Sequence, residues 1–411
     1  MDFKLSEEEK KRRKEFFDGC KELSKEMPEN FIKGLEADFE KANQPYVTRC
    51  RKEFAKRGWL RLGWPAEYGG VGSHMDRVFF GEARGYYGLP GVDIFGIEML
   101  APTLIAMGSK EVKDRFLPPI GRGEVLWCEL YSEPNAGSDL AALTATAIRK
   151  GDEYVINGQK TWTTNAHNAD WGLGLFRTDP QGRKRRNLSF LLMDMKTPGI
   201  TINPLEYLNR MHMYNEVFFD DVHIPADQIV GKENDGWTVS QVLVNFERSN
   251  VLAVTAVRRM LEVLVEYCNE TKVGGKPLAQ DPIIRDKLAE VATEIEASRT
   301  LAYYIADQQN RNQVAALFES SAAKVFIGDL YERLGAIGTD ILGSYGQVKA
   351  SRWARQGGLW ESLYQTAFVL TISMGTNEIQ KNIIAWYGLG MPRPLSPVSI
   401  EKALAAAQAA K

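Results

Sequence analysis

Two spacings of apolar residues divide the chain. From Leu5 to about Gly123 they recur at helical intervals in charged amphipathic stretches such as "SEEEKKRRKEFFDGCKELSKEM", broken by the turn-rich "GWPAEYGGVGS". Between about Glu124 and Gly236, short runs rich in β-branched and aromatic residues take over. Among them are "EYVINGQKTWTT", "LSFLLMDM" and "EVFFDDVHIP", separated by Gly, Pro, Asn and Asp clusters. After "GKENDGW" the helical period returns: Val239, Val242, Phe246, Ala253, Val257, Met260, Leu264 and Tyr267 form one broad stripe on a helix expected from Trp237 to Glu270. The pattern predicts an α+β chain with a helical N-terminal domain (1–123), a central β domain of barrel or sandwich size (124–236), a helical C-terminal domain (237–395) and an Ala-rich tail (396–411).

Composition narrows the classes of function. With 411 residues, 44% apolar and 25% charged, the chain is long enough for two or three packed domains and too apolar for disorder. The net charge of −2 and the interleaving of acidic and basic residues give no electrostatic footprint for nucleic acid. The one dense basic run, "GRKRRN", reads as a solvated turn. Four cysteines (Cys20, Cys50, Cys128 and Cys268) without CxxC spacing predict reduced thiols and no metal site. An N-terminus without an apolar core, and no apolar run of the roughly 20 residues that span a bilayer, predict a soluble cytoplasmic protein without membrane insertion. There is no GxGxxG or Walker loop, and the α, β, α order is not that of a βαβ nucleotide fold. A bound nucleotide would be held in another way.

Five polar motifs follow one another along this frame: "WPAEYGG", "YSEPNAGSD", "NGQKTWTTNAHNADW", "NEVFFDDVHIP" and "GTNEIQKNIIA". Each alone is a weak signal, since a polar loop between strands or a capped helix start looks much the same. In this order, and over nearly the whole chain, they resemble the acyl-CoA dehydrogenase family. The resemblance implies a C-terminal four-helix bundle behind the helical and β domains, FAD as cofactor, an acyl-CoA substrate, an electron-transfer flavoprotein as electron acceptor, and a homotetramer built as a dimer of dimers. By the same resemblance Ser132, with Tyr131 beside it, contacts the flavin ring, and Ser138 lies close to both FAD and the CoA ester. Trp162 and Thr164 fall at flavin positions, and Gly375, Thr376 and Glu378 at the phosphate and adenosine side. One departure concerns "TKVGGKPLAQDP", where Thr271 and Gly274 replace an Arg and a Phe that in many members reach the partner subunit's FAD.

The implied reaction is α,β-dehydrogenation, which needs a base for the α-proton on the side of the substrate opposite the flavin. Many members place a glutamate just before the "GT" of the last motif, and here that residue is Met374, which cannot serve. A smaller group, the isovaleryl-type and long-chain enzymes, takes the carboxylate from the first bundle helix, just before an arginine. In "VLVNFERSNVLA" that place is held by Glu247, with Arg248 following as the residue that helps hold the CoA portion. Asp93 and Glu361 stand as reserve carboxylates. Divergent chemistry on the same scaffold, as an acyl-CoA oxidase or a desulfinase, and a non-catalytic subunit of a hetero-oligomer remain the alternatives.

Overall fold

The computed structural model describes residues 4–29, 31, 37–246, 251–312 and 317–393; Glu247, Arg248 and the tail 396–411 lie outside them. The N-terminal domain is helical. Helix α1 (Glu7–Ser24) starts at Ser6 and α3 (His74–Tyr87) at Ser73, each with a capping box in which Glu9 or Asp76 reaches back to the cap. Helix α2 (Gln44–Lys56) lies between them in sequence. Arg12 pairs with Asp76 at 3.0 Å and Arg13 with the buried Glu82 at 2.7 Å, so α1 is tied to α3 by charge as well as by Phe16 in the core. A π-helical turn (Ile94–Leu100) then leads into α4 (Ala101–Met107), and α5 (Lys110–Gly121) closes the domain.

The central domain is one mixed sheet. Its strands are β1 (Trp127–Leu130), β2 (Thr146–Lys150), β3 (Glu153–Lys160), β4 (Trp171–Arg177), β5 (Leu188–Asp194), β6 (Ile200–Leu205), β7 (Tyr214–Pro225) and β8 (Ile229–Val230). They run in the order β6-β7-β3-β2-β4-β5-β8, with β1 parallel to β4. The central β domain is as expected, except that its sheet is not a closed barrel, since β6 and β8 do not pair with each other. On β5, Leu188, Phe190 and Leu192 face the helical N-terminal core while Leu191 and Met193 face the sheet's other core. Period-two alternation is hidden in this strand because both faces are apolar.

The helix expected over 237–270 is described as α6 (Gly236–Phe246) and α7 (Val251–Glu270). Helices α8 (Pro282–Asn312) and α9 (Leu317–Leu342) pack with α7 around Val257, Leu264, Val291 and Leu334, and the short α10 (Leu359–Thr366), α11 (Val369–Ile372) and α12 (Asn377–Ile383) close onto α9. Helix α3 crosses α7 so closely that a Cβ at Gly85 would lie 2.6 Å from the Leu252 carbonyl. Glu82 completes the junction by accepting from Tyr303 Oη on α8 at 2.8 Å. The N-terminal domain and the bundle therefore share a wall.

Candidate functional site

The loop "YSEPNAGSD" leaves the end of β1, and "KTWTTN" leaves the end of β3. A buried ion pair that the sequence reading missed locks the two together. Lys160 is fully buried; its Nζ donates to Glu133 Oε1 at 2.9 Å and to the carbonyls of Tyr131 (3.1 Å) and Leu175 (2.9 Å), and it stands 4.9 Å from the Phe176 ring centre. Glu133 in turn accepts from Thr144 N (2.6 Å), Thr144 Oγ1 (2.8 Å) and Ala145 N (2.9 Å). Burial alone would push the Glu133 carboxyl up, but Lys160 and the N–H donors outweigh it and hold it below the usual carboxylate range. Thr161 N donates to the Ser132 carbonyl at 2.8 Å, so Tyr131 and Ser132 lie beside Trp162 and Thr164.

Trp162 (φ 57°) and Asn165 (φ 61°) both occupy the left-handed region, which L residues enter at a cost. The chain is held there by paired backbone bonds between Thr163 and Asn215, by Asn165 N to the Met213 carbonyl at 2.9 Å, and by Asn215 Nδ2 to the Thr163 carbonyl at 3.0 Å. As a result the Trp162 indole is 54% exposed, edge-on to Tyr214. An indole held open in this way offers a flat face to a planar ligand in the space beside it.

The third element comes from the end of the chain. Met374 (φ 58°) and Gly375 (φ 77°) form a tight left-handed turn before Thr376, whose Oγ1 accepts from Ile379 N at 3.3 Å and starts α12. Gln380 is buried; its Nε2 donates to the Met374 carbonyl at 2.7 Å, while its Oε1 has no partner among the described residues. A Cβ on Gly375 would lie 2.9 Å from that Nε2, at the far end of the Gln380 side chain, and would sit at a left-handed φ that favours glycine.

These elements meet on a cavity of about 2960 Å³. Tyr131, Ser132 and Ser138 line it from one loop, Trp162 and Thr164 from the next, and Met374, Gly375 and Thr376 from the turn before α12. Glu378 does not line it; it is exposed in the first turn of α12, its carboxyl held low by its own backbone N–H and the Thr376 hydroxyl. Glu247 and Arg248 fall outside the described residues, but Gln241 and Val244 before them and Leu252 and Ala253 after them all line the cavity. Asp93 lines it too, with its oxygens engaged by Phe95 N (3.2 Å) and Trp127 N (3.0 Å) and its carboxyl pushed up to about 7 by burial. Glu361 is not on the wall. The basic run is exposed, with two of its residues engaged: Lys184 pairs with Asp139 at 2.6 Å, and Arg185 stacks over Trp237 at the cavity's edge.

Such a volume is roughly three times that of an ordinary small-molecule pocket, enough for a dinucleotide and a second extended ligand together. The uncovered Trp162 indole and the unpartnered Gln380 oxygen fit the flavin cofactor that the motifs imply. Among the described residues no group of three His, Cys, Asp or Glu could hold a metal ion, the four cysteines are free and buried, and no helix is long and apolar enough to cross a membrane.

Comparison with known proteins gives matches to three domain families: the acyl-CoA dehydrogenase N-terminal domain over residues 18–124, the middle domain over 128–222 and the C-terminal domain over 234–387. The chain is 38% identical over 346 residues to acyl-CoA dehydrogenase IpdE1 of Mycobacterium tuberculosis, covering 83% of this chain and 87% of that protein. It is 30% identical over 360 residues to a glutaryl-CoA dehydrogenase of Desulfococcus multivorans, covering 84% and 89%. Among solved structures, the ChsE4-ChsE5 complex from Mycobacterium tuberculosis matches with a TM-score of 0.85 at 31% identity, over 96% of this chain and all of that one.

Proposed function

Because the chain belongs to the acyl-CoA dehydrogenase family, a family of FAD-dependent oxidoreductases, we propose that it binds FAD in the cavity and oxidises an acyl-CoA thioester to the 2-enoyl-CoA. The electrons then pass to an electron-transfer flavoprotein in the cytoplasm. The observation that carries this reading is the convergence of three motif segments, from β1, β3 and the turn before α12, on one cavity large enough for both ligands. Bound FAD supplies the acceptor for the hydrogen that leaves the β-carbon as hydride.

The residues of the chain supply the rest. Trp162 and Thr164 would hold the flavin, the indole by packing and the hydroxyl by hydrogen bonding, on the loop that begins at the Lys160–Glu133 pair. Ser132 and Tyr131 line the ring side, and Ser138 lies towards the CoA ester. The turn at Gly375 and Thr376 takes the phosphate and adenosine portion, while Glu378 stays exposed outside the cavity wall. Glu247 takes the α-proton onto its carboxylate as the β-hydrogen leaves, and Arg248 steadies the CoA portion. Two points support Glu247: the base position before Gly375 is held by Met374, whose thioether accepts no proton, and the described residues on both sides of Glu247 line the cavity. Hydrogen bonds to the thioester carbonyl would stabilise the developing enolate.

A second reading concerns assembly. The structural match is to a complex of two differently named chains, and the departure at Thr271 and Gly274 has a clear local form here. Lys272–Val273 and Lys276–Pro277 make a two-stranded hairpin whose turn is Gly274 (φ 60°) and Gly275 (φ 81°), with nothing near either glycine. A hairpin tip without an aromatic side chain gives a neighbouring subunit's FAD nothing to pack on. The site of this chain then works beside an unlike partner instead of in the homotetramer.

The test is the flavin content of the purified protein and anaerobic bleaching of its absorbance by a panel of acyl-CoAs. One FAD per chain, bleached by at least one thioester with enoyl product, is expected. Absence of flavin, or flavin that no thioester bleaches, overturns the reading. Half-occupancy with activity appearing only on adding a partner chain selects the hetero-oligomer, while peroxide or sulfite as product selects the oxidase or desulfinase.

A further inference from the structure

One stretch of the cavity wall is charged. Helix α3 turns Arg77, Gly81 and Arg84 onto it, spaced as one helical face, and Glu98 joins them from the π-helical turn. Apolar surface surrounds this patch, from Phe95 and from Leu252, Ala253 and Ala256 on α7. We propose that this wall selects the acyl group: Arg77, oriented beside Arg84 and Glu98, donates to an acceptor oxygen carried by the acyl group far from its thioester, as a ketone or a second carboxylate on a bulky apolar body. The proposal rests on the acyl-CoA reading above and deepens it.

Three observations carry it. First, Arg77 is half-buried and lines the cavity. It makes no ion pair or side-chain hydrogen bond among the described residues. Second, Arg84 is 3% exposed; its only described side-chain hydrogen bond is a long one, Nη2 to Glu98 Oε1 at 3.5 Å, the Asp38 carboxylate acts on it only electrostatically, and its Nη1 has no partner among the described residues. A guanidinium has five donors, and leaving them unmet away from bulk water is costly; Glu98 and Asp38 both act on Arg84, yet among the described residues neither gives either guanidinium a short contact, so donors are left over on this wall.

Third, the segment that carries Glu98 is anchored at the end of β1 opposite the flavin-side loop. Asp93 bonds Trp127 N, four strand residues before Tyr131, which places Asp93 roughly 13 Å from the flavin-side loop at about 3.3 Å per residue. Glu98 follows Asp93 by five residues on the same helical segment. A purely aliphatic acyl group reaching this wall would strip water from Arg77 and Arg84 and return no hydrogen bond. An oxygenated one would return it.

The test uses full-length FAD-loaded protein and three matched thioesters: 3-cyclohexylpropanoyl-CoA, its 4-oxo derivative and its 4-carboxy derivative. Turnover is measured as kcat/KM, and the corresponding non-oxidisable CoA thioethers are titrated by calorimetry. We expect at least one oxygenated probe to be preferred over the plain ring by about tenfold or more, the range of a hydrogen bond to a charged group. Arg77→Met is expected to shrink that preference to within about threefold. The oxo and carboxy arms tell which oxygen is read. Equal handling of all three probes by the wild type overturns the proposal without recourse to any variant. So does an Arg77→Met effect that falls equally on all three, which would place Arg77 on the shared CoA portion. If no thioester reduces the flavin, the dehydrogenase reading fails by itself; the thioether affinities still decide this proposal, with a preference for an oxygenated tail supporting it and equal affinities refuting it.

Discussion

Replacing Lys160 by Met tests the ion pair that holds the two flavin-side loops together. Methionine keeps the length and apolar stem of the lysine but removes three hydrogen bonds, to Glu133 Oε1, the Tyr131 carbonyl and the Leu175 carbonyl. It leaves Glu133 buried, with the donors of Thr144 and Ala145 but no cation. Breaking a buried pair from one side costs about 3–5 kcal/mol, a large fraction of the roughly 5–15 kcal/mol that holds a domain folded. With a urea slope of about 1–3 kcal/mol per molar, the unfolding midpoint followed by tryptophan fluorescence should fall by at least about 1 M. Adding Glu133→Gln removes the orphaned charge, so the double variant should recover about 2 kcal/mol relative to Lys160→Met alone. Strict additivity of the two substitutions, or a midpoint shift below about 0.3 M, would refute the reasoning. Acid gives an independent check. The Glu133 carboxyl sits below its ordinary value in the folded chain, so the unfolded chain binds more protons between the two values, and stability contributed above the unfolded value of about 4.3 is lost as pH falls. Glu133→Gln should flatten that acid slope, measured as midpoint against pH.

Other outcomes follow from the same geometry. Trp162→Ala removes an indole that covers little protein, so the melting temperature of the flavin-free protein should barely move, while flavin should dissociate about tenfold more readily, read by its fluorescence on dilution. Gly375→Ala places a Cβ 2.9 Å from Gln380 Nε2 at a φ of 77°, and should cost about 1–2 kcal/mol and lower flavin occupancy, measured by thermal unfolding and by absorbance ratio.

How far the sequence could be read differed from element to element. The helical and strand regions were visible because apolar spacing reports local period, and the motif loops were visible because their residue types are unusual together. Closure of the sheet was not, since alternation along a strand says which residues are buried but not which strand lies at its edge; "LSFLLMD" is buried on both faces and carries no alternation at all. Lys160 and Glu133 were missed as a pair because they are 27 residues apart and each reads as an ordinary polar residue in its own segment. The left-handed backbone that turns out Trp162 is set by bonds to Asn215, a tertiary cause with no local trace. The two glycines at 274 and 275, by contrast, are a hairpin signal in plain sight; compared with the family pattern they looked only like a missing phenylalanine.

The base is the point on which the account turns, and Glu247→Gln tests it most directly. Wild type and variant, each with FAD bound, are mixed anaerobically with a thioester that bleaches the wild type, and the rate of flavin reduction is followed with ligand affinity measured alongside. The account predicts a loss of reduction rate by orders of magnitude with FAD and thioester binding retained. Reduction as fast as wild type would contradict it, and would leave the α-proton to another group.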